Sequence, residues 1–466
     1  MPEASPYAAF LAALRTALDD DVVAVGDAIP PRHHTDWSGM TPTRPLALVR
    51  PRSTGQVCTL MRLCTEHRVP VVPQGGLSGM AGGAVPRADA VALSLDRMHT
   101  IESLDKAAAT VAVQAGATLQ AVQEAAAAQG LQFGVDLGAR GSCQIGGNLS
   151  TNAGGNGVLQ FGMMREQTLG LEVVLADGTV LPMLRPMLKN NTGYDLKQFF
   201  IGAEGTLGVI TRALLRLHPA PSARVTALVA LPHFDAALGL LGRLQAACPG
   251  GVAAFELMWR DFIDTSIAWQ DLRPPFDTPP PLAALVELTG PDADTLQARL
   301  QAVVGEALEA GTALDAVLAQ SQAQARALWR LREAPAEFPV RMRPPVNFDV
   351  SLPMAQIGRF ADACRAALGA RWPAHHSIFF GHVGDSNLHV TVDAATAGHD
   401  EATVEALVYG LVAEFHGSVS AEHGIGLHKK PWLGASRTPA EMAAMRAIKA
   451  ALDPRGILNP GKVFDL

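Results

Sequence analysis

Glycine is concentrated in three short stretches in the first half of this 466-residue chain. Segments rich in β-branched residues separate the three stretches and predict strands. Clustered glycines allow a backbone to approach a ligand closely and to turn its N–H groups toward an anion. The sequence therefore predicts loops that bind a ligand, and a pyrophosphate group is the ligand that such loops suit best. The three stretches are Gly75–Gly83, Gly138–Gly157 and Gly202–Gly208.

No single stretch is diagnostic, because glycine clusters also form tight turns in β-rich domains. The first is not a Walker loop, since no Gly-Lys-Ser/Thr follows it, and it is not a G-x-G-x-x-G turn at the start of a helix. Three such clusters within about 135 residues favour a cofactor over simple turns.

Composition limits the class of protein. The length predicts two or three domains, and 48% hydrophobic with 17% charged residues excludes bulk disorder. A net charge of -7 gives no basic surface for nucleic acid. Five cysteines without a C-x-x-C pair indicate reduced thiols. The apolar N-terminus reads as an amphipathic helix rather than a signal peptide, and no stretch predicts a membrane span, so we expect a cytoplasmic protein.

The sequence changes character after Pro219-Ala220-Pro221. Strand patterns at Val225–Leu231 and Leu282–Leu288 alternate with helical patterns at Asp235–Ala247 and Asp292–Gly311. This order predicts an α+β domain with an antiparallel sheet. We therefore expect a lead-in at 1–40, a ligand-binding domain at 41–219, and a C-terminal α+β domain at 220–466.

Two histidines flank a loop signal in the C-terminal half. A four-residue hairpin loop at 384–387 would set Val383 opposite Leu388 and His382 opposite His389. Opposed imidazoles can share one divalent ion, although two surface histidines fit the same pattern. Downstream, Ser418–Gly426 carries adjacent acidic and imidazole groups; alone it suits a polar turn.

The glycine-rich region resembles the FAD-binding domain of the vanillyl-alcohol oxidase / p-cresol methylhydroxylase family. The match runs over about residues 40–220 in the family's order. It implies a two-lobed FAD-binding domain, with the last segment of the chain returning to the flavin. It also implies non-covalent FAD, because Leu77 and Ser78 stand where some members carry a tethering histidine. The positions implied as cofactor-binding are Pro73, Gln74, Gly75, Gly76, Leu77, Ser78, Gly79, Met80, Leu137, Gly141, Ser142, Gly146, Gly147, Asn148, Thr151, Asn152, Gly154, Gly155, Glu204, Gly205, Gly208, Val209, Ile210 and Asn459.

The C-terminal motifs are similar to those of the metal-dependent FAD-linked 2-hydroxyacid dehydrogenases, of the D-2-hydroxyglutarate and D-lactate types. The similarity rests on His-x6-His, Ala421–Gly426, Leu331-Arg332-Glu333 and the final Asn-Pro-Gly-Lys, and it covers about residues 320–466. It implies one divalent metal, Zn²⁺ first and Mn²⁺ second, on His382, His389 and Glu422. It further implies that His423 is the catalytic base and that Arg332 clamps a substrate carboxylate.

Three positions depart from the D-2-hydroxyglutarate pattern. Asn347 replaces a lysine, Ala336 replaces a threonine, and Thr391 replaces an asparagine. We expect Asn347, Thr391, Arg332 and His423 to face the substrate, whose identity the pattern leaves open. Arg341 or Arg343 is available to replace the missing lysine charge.

The resemblance predicts an FAD-dependent, metal-assisted oxidation of a small D-2-hydroxy acid. The electron acceptor is expected to be an electron-transfer flavoprotein or a quinone, since no nicotinamide motif is present. Two alternatives stay open: an oxidase that uses O₂, and an FAD-bearing electron-transfer subunit of a larger complex. A homodimer is one arrangement open to the chain.

Overall fold

The computed structural model describes residues 6–342, 345–393 and 401–466. The chain forms two compact units. The first comprises the chain up to Gly155, Phe161–Ala220 and Glu422–Leu466, and the second comprises Asn156–Gln160 and Pro221–Ala421. The last segment of the chain therefore belongs to the same unit as the three glycine clusters.

The described residues of the first unit form three sheets. Strand β1 pairs antiparallel with β2 in a four-stranded sheet of order β1-β2-β4-β3, whose other pairs are parallel. A five-stranded antiparallel sheet has the order β5-β6-β10-β8-β9, and β11 pairs with β7. The strands are β1 Val23–Val25, β2 Ala47–Val49, β3 Val71–Gln74, β4 Val91–Ser94, β5 Ile101–Asp105, β6 Thr110–Gln114, β7 Leu131–Gln132, β8 Thr168–Val174, β9 Val180–Met183, β10 Val209–Arg216 and β11 His218–Pro219.

Helices pack around these sheets on one continuous apolar core. The N-terminal helix buries Phe10 and Leu14, as its amphipathic pattern predicts. Helix Thr54–His67 begins where Ser53 accepts a hydrogen bond from Gln56 N, and it ends at Arg68 in the left-handed region. The helices of this unit include Ala8–Ala17, Thr54–His67, Leu119–Ala127, Ile145–Ser150, Met164–Gln167 and Pro439–Leu452.

The second unit is built on one seven-stranded antiparallel sheet of order β15-β12-β14-β13-β17-β18-β16. This sheet confirms the predicted antiparallel α+β architecture of the C-terminal region. Strands β13 and β14 are almost wholly buried, so each has an apolar run broken by a single glutamate. The strands are β12 Ala223–Leu231, β13 Val252–Trp259, β14 Leu282–Gly290, β15 Asp315–Leu318, β16 Pro345–Ser351, β17 His376–Gly381 and β18 Asn387–Asp393.

Helices also pack on the sheet of the second unit. The helix Gln322–Arg332 begins at the Ser321 cap and buries Leu328 and Leu331 in an aromatic-rich cluster with Phe262, Phe338 and Phe380. The helices of this unit include Phe234–Ala247, Arg260–Gln270, Ala293–Glu309, Gln322–Arg332, Phe338–Arg341, Ile357–Arg371 and Glu401–Glu414.

Two compositional expectations concern the whole chain. All five cysteines are buried and none forms a disulfide within the described residues, as the odd count and spacing predict. Within the part of the chain that the structure describes, no helix is both long and apolar enough to cross a membrane.

Candidate functional site

The three glycine clusters converge in the first unit. Gly76 lies against the second cluster so closely that a Cβ there would come within 1.9 Å of the carbonyl oxygen of Ser142. Gly205, from the third cluster, lies against the ring of Pro73. Glu204 donates its backbone N–H to the carbonyl of Ser150 at 2.8 Å. Loops far apart in the sequence thus form one glycine-lined surface.

A second close approach explains the Asn-Ala-Gly-Gly segment that follows helix Ile145–Ser150. Gly155 has a φ of +80°, and a Cβ on it would lie 1.9 Å from the carbonyl oxygen of Asp136. Only glycine fits this position without movement of the backbone. The segment is thereby held beside the loop that contains Leu137, Gly141 and Ser142.

Not every predicted cofactor residue presents its side chain to a ligand. Gln74 is buried at the end of β3, where its amide bonds to the ring of His33 and to the carbonyls of His33 and Ala84. The side chain of Gln74 therefore anchors the first loop, and the loop backbone of Gly75–Met80 is left to face a ligand.

Two buried acceptors test whether FAD fits this surface. Among the described residues no hydrogen-bond partner reaches Asn459 Oδ1, and none reaches Gln144 Oε1. A buried polar atom without a partner costs about 1–3 kcal/mol. FAD carries ribityl hydroxyl and adenine amino donors suited to such acceptors. The glycine-lined backbone and these two acceptors fit the group.

The loop Glu422–Gly426 is anchored to the same unit. Glu204 is buried and accepts hydrogen bonds from Ile425 N at 2.7 Å and Gly426 N at 2.8 Å. Burial raises the pKa of Glu204, although both backbone bonds oppose the rise. Gly155 N donates to Glu422 Oε1 at 3.1 Å. The predicted ligand Glu422 and the predicted base His423 thus lie on a loop fixed to the glycine-rich segments.

The predicted hairpin at 384–387 is wrong in register. His389 lies opposite Phe380, not His382, and the strands end at Gly381 and Asn387. His382 instead begins a 3₁₀ turn, Val383–Asp385, and its carbonyl accepts bonds from the backbone N–H groups of Asp385 and Asn387. Val383 is buried in that turn and does not face Leu388.

The two imidazoles nevertheless meet. The ring centroids of His382 and His389 are 5.6 Å apart, with an interplanar angle of 80°. His382 is buried and His389 is half-buried. Two imidazoles at this separation fit a shared divalent ion.

Two carboxylates beside the histidines were not predicted from the sequence. Glu256, on β13, accepts from His382 Nδ1 at 2.6 Å and from Arg332 Nε at 2.8 Å. Burial alone would raise the pKa of Glu256, but the charges and hydrogen bonds of His382 and Arg332 lower it well below its usual range. Asp349, on β16, is directly opposite His389 and fully buried. Each is the only acidic residue in a strand of mostly apolar residues. This pattern is the feature of the sequence that could have marked them as functional candidates.

Predicted substrate residues lie on the same face of this sheet. Asn347 and Thr391 are directly opposite each other, and Thr391 Oγ1 donates to Asn347 Oδ1 at 2.9 Å. Ala336 falls in a 3₁₀ helix, Ala334–Glu337. Arg341 is exposed and donates to the Trp269 carbonyl, and Arg343 lies outside the described residues.

Comparison with known proteins places the chain in a family. An FAD binding domain matches residues 45–183, and the C-terminal domain of FAD linked oxidases matches residues 220–463. The chain is 37% identical to D-2-hydroxyglutarate dehydrogenase of Stutzerimonas stutzeri, over 92% of this chain and 93% of the relative. It is 38% identical to the mitochondrial D-2-hydroxyglutarate dehydrogenase of Bos taurus, over 97% of this chain and 83% of that relative.

A solved structure supports the fold. Substrate-bound p-cresol methylhydroxylase superposes with a TM-score of 0.77 at 18% identity, over 99% of this chain and 97% of that chain. The predicted p-cresol methylhydroxylase type of FAD-binding fold is thus confirmed. The glycine-lined surface and the two family matches lead to one conclusion: this chain belongs to the FAD-linked oxidase family of flavoproteins.

Proposed function

We propose that this chain is an FAD-dependent, metal-assisted dehydrogenase that oxidises a D-2-hydroxy acid to the 2-oxo acid. The observation that carries the proposal is the meeting of His382 and His389, with a buried carboxylate on the first of them. Such an arrangement has little use in an electron-transfer subunit without a substrate site. Residues 41–219 would bind FAD non-covalently, and residues 220–466 would supply most of the substrate and metal contacts.

His382, His389 and Glu422 would hold the metal, Zn²⁺ by preference and Mn²⁺ as the second choice. A divalent ion held there would supply Lewis acidity that lowers the pKa of the substrate hydroxyl. Three protein ligands leave positions for substrate, as catalytic sites require. The hydrogen bond between Glu256 and Nδ1 of His382 fits a ligand that binds metal through Nε2.

His423 would remove the proton from the substrate hydroxyl. Imidazole is suited to this role because its pKa lies near physiological pH. Bound FAD supplies the hydride acceptor at its N5 atom. The anchoring of loop Glu422–Gly426 by Glu204 keeps the base and the ligand in a fixed geometry.

Arg332 would bind the substrate carboxylate. Its Nε is held by Glu256, and its guanidinium carbon lies 4.6 Å from the centroid of the Phe380 ring. A planar guanidinium fixed in this way presents its remaining N–H donors in one direction, which suits recognition of a carboxylate.

The reduced flavin would pass its electrons to an electron-transfer flavoprotein or a quinone. We propose a cytoplasmic location for the enzyme. Direct use of O₂ is the rival within this fold. Turnover in air without an added acceptor separates the two, because an oxidase then consumes O₂ and releases H₂O₂, whereas a dehydrogenase turns over only when a dye acceptor is supplied.

Substrate screening tests the proposal directly. The purified protein is expected to be yellow, to release FAD on denaturation, and to be bleached anaerobically by D-2-hydroxy acids but not by their L-enantiomers. The measurement is flavin absorbance after each acid is added in the absence of O₂. A yellow protein that no 2-hydroxy acid bleaches would support the electron-transfer-subunit alternative instead.

Asn347 is expected to shift the substrate preference away from D-2-hydroxyglutarate. The lysine that Asn347 replaces would add a charged hydrogen bond to the second carboxylate. Such a bond is worth ~1.5–3 kcal/mol, or roughly 10–150-fold in use of that substrate. We therefore expect Asn347→Lys to raise kcat/KM for D-2-hydroxyglutarate at least about tenfold relative to D-lactate.

Asn347→Gln is the matched control, because it lengthens the side chain without adding charge. Both variants change the side chain that accepts the Thr391 hydrogen bond, so the difference between them reports the added charge. Should the wild type already prefer D-2-hydroxyglutarate more than tenfold while Asn347→Lys gains nothing, Asn347 does not set the preference.

A further inference from the structure

Glu256 is a carboxylate in a place where the fold itself has no need of one. It lies on β13, between β14 and β17 in the middle of the seven-stranded sheet, and only 1% of it is exposed. Its neighbours along the strand are Phe255 and Leu257. Burying a charge costs several kcal/mol unless partners compensate it, and a hydrophobic residue would pack here at no such cost.

Both oxygens of Glu256 are engaged, and each by a different functional group. Oε1 accepts from His382 Nδ1 at 2.6 Å, and Oε2 accepts from Arg332 Nε at 2.8 Å. These two partners come from the turn after β17 and from the end of helix Gln322–Arg332. One carboxylate therefore joins the predicted metal ligand to the predicted substrate clamp.

For His382 the contact decides which ring nitrogen carries the proton. A carboxylate can only accept, so Nδ1 must donate, and Nε2 then holds the lone pair that a metal requires. The bond also fixes the rotation of the ring. Without this hydrogen bond, the ring could carry its proton on Nε2, or it could rotate away from His389.

For Arg332 the contact fixes the plane of the guanidinium. The Nε atom of Arg332 donates a hydrogen bond to Glu256. The guanidinium carbon also lies 4.6 Å from the centroid of the Phe380 ring, so the ring restricts the guanidinium as well. Phe380 is itself directly opposite His389. The contacts of Glu256 and Phe380 therefore connect Arg332 with both His382 and His389.

We infer that Glu256 is a positioning residue that sets His382 for metal and Arg332 for substrate at the same time. The inference rests on the proposed function, because it assumes that His382 binds metal and Arg332 binds a carboxylate. Because both of its carboxylate oxygens are engaged by these two side chains, we expect Glu256 itself to touch neither substrate nor cofactor. Its loss should therefore appear both as weaker metal binding and as a higher KM.

The test is direct titration of metal-free holoprotein, with FAD bound, by Zn²⁺ and by Co²⁺. Glu256→Gln keeps the shape and removes the charge, and we expect 10–100-fold weaker metal affinity, the usual effect of losing such a partner. With saturating metal, KM for the D-2-hydroxy acid should rise more than kcat falls. Glu256→Asp restores the charge and should recover part of both losses.

Glu287→Gln is the matched control. Glu287 is also buried, on β14, on the same face of the sheet as Glu256, and it pairs with Arg224 and with Trp329 of helix Gln322–Arg332. If Glu256 acts only by supporting the sheet, the Glu287→Gln variant should lose metal affinity to the same extent. We expect Glu287→Gln to bind metal as the wild type does.

The outcomes separate the inference from the proposed function. A wild type that binds neither ion overturns the metal-assisted function and this inference with it. A wild type that binds metal, with Glu256→Gln within twofold of it, overturns the inference alone. In a His382→Ala background Glu256→Gln should cause no further loss of affinity, since the two residues act through one contact. If Glu256→Gln does not fold, Glu256→Asp decides: unchanged metal affinity and unchanged KM refute the role.

Discussion

Removal of the divalent metal is expected to lower turnover roughly 10³-fold and to leave the flavin spectrum unchanged. Lewis-acid stabilisation by a bound metal is worth several kcal/mol, and each ~1.4 kcal/mol is a factor of ten in rate. The flavin spectrum should persist because none of the three proposed metal ligands is among the positions implied as cofactor-binding. The measurement is turnover and flavin absorbance before and after chelation.

Added Zn²⁺ or Mn²⁺ should restore turnover, and elemental analysis of the protein as purified identifies the ion that it carries. His382→Ala and His389→Ala should reproduce the chelated state. His376→Ala is their control, because His376 is exposed at the start of β17, the strand that ends just before His382. Full activity in protein shown by elemental analysis to be metal-free would refute the metal-assisted mechanism.

Replacement of His423 by alanine is expected to lower kcat about 10²–10⁴-fold, the usual cost of losing a general base. FAD content and metal content should stay at wild-type levels, since neither predicted set of ligands includes His423. Steady-state turnover, flavin absorbance and elemental analysis of one preparation measure all three quantities.

Glu422→Ala provides the contrast within the same loop. It should lose metal as well as activity, because Glu422 is the proposed third ligand. His99→Ala, an exposed histidine in the first unit, should change neither quantity. A loss of less than tenfold in His423→Ala would mean that another group accepts the proton.

Local signals made much of the fold predictable. Local signals set the limits of helix Thr54–His67, because Ser53 caps its first turn and Arg68 ends it in the left-handed region. Strand β14 extends the predicted Leu282–Leu288 by only two residues, since it is buried on both faces and so forms a continuous apolar run. Patterns of this kind depend on neighbours in the sequence alone.

The hairpin at His382 shows where such reasoning fails. Turn residues at 384–387 predicted a tight loop, but the carbonyl of His382 closes a 3₁₀ turn and the register moves by two residues. Because two residues are one full period of a strand, His389 keeps its face of the sheet. The prediction of neighbouring histidines therefore survives an incorrect loop.

Glu256 and Asp349 stand out in the sequence as lone acids, but their roles could not be assigned from it for a different reason. The role of a single acidic residue in a buried strand depends on the side chains that contact it from other helices, strands and turns. The partners of Glu256 lie 76 and 126 positions away, at Arg332 and His382. No local pattern contains that pairing.

The return of Glu422–Leu466 to the first unit has a consequence for biosynthesis. Val71 pairs with Leu458 in an isolated bridge, Lys449 Nζ donates to the carbonyl of Thr206, and Asn459 Nδ2 donates to the carbonyl of Glu204. None of these contacts can form until the whole second unit has left the ribosome. At about 5–20 residues per second the early half waits roughly 10–50 s for them. During that interval the nascent chain lacks part of its flavin surface, so we expect FAD to bind only after residues 449–459 have been synthesised.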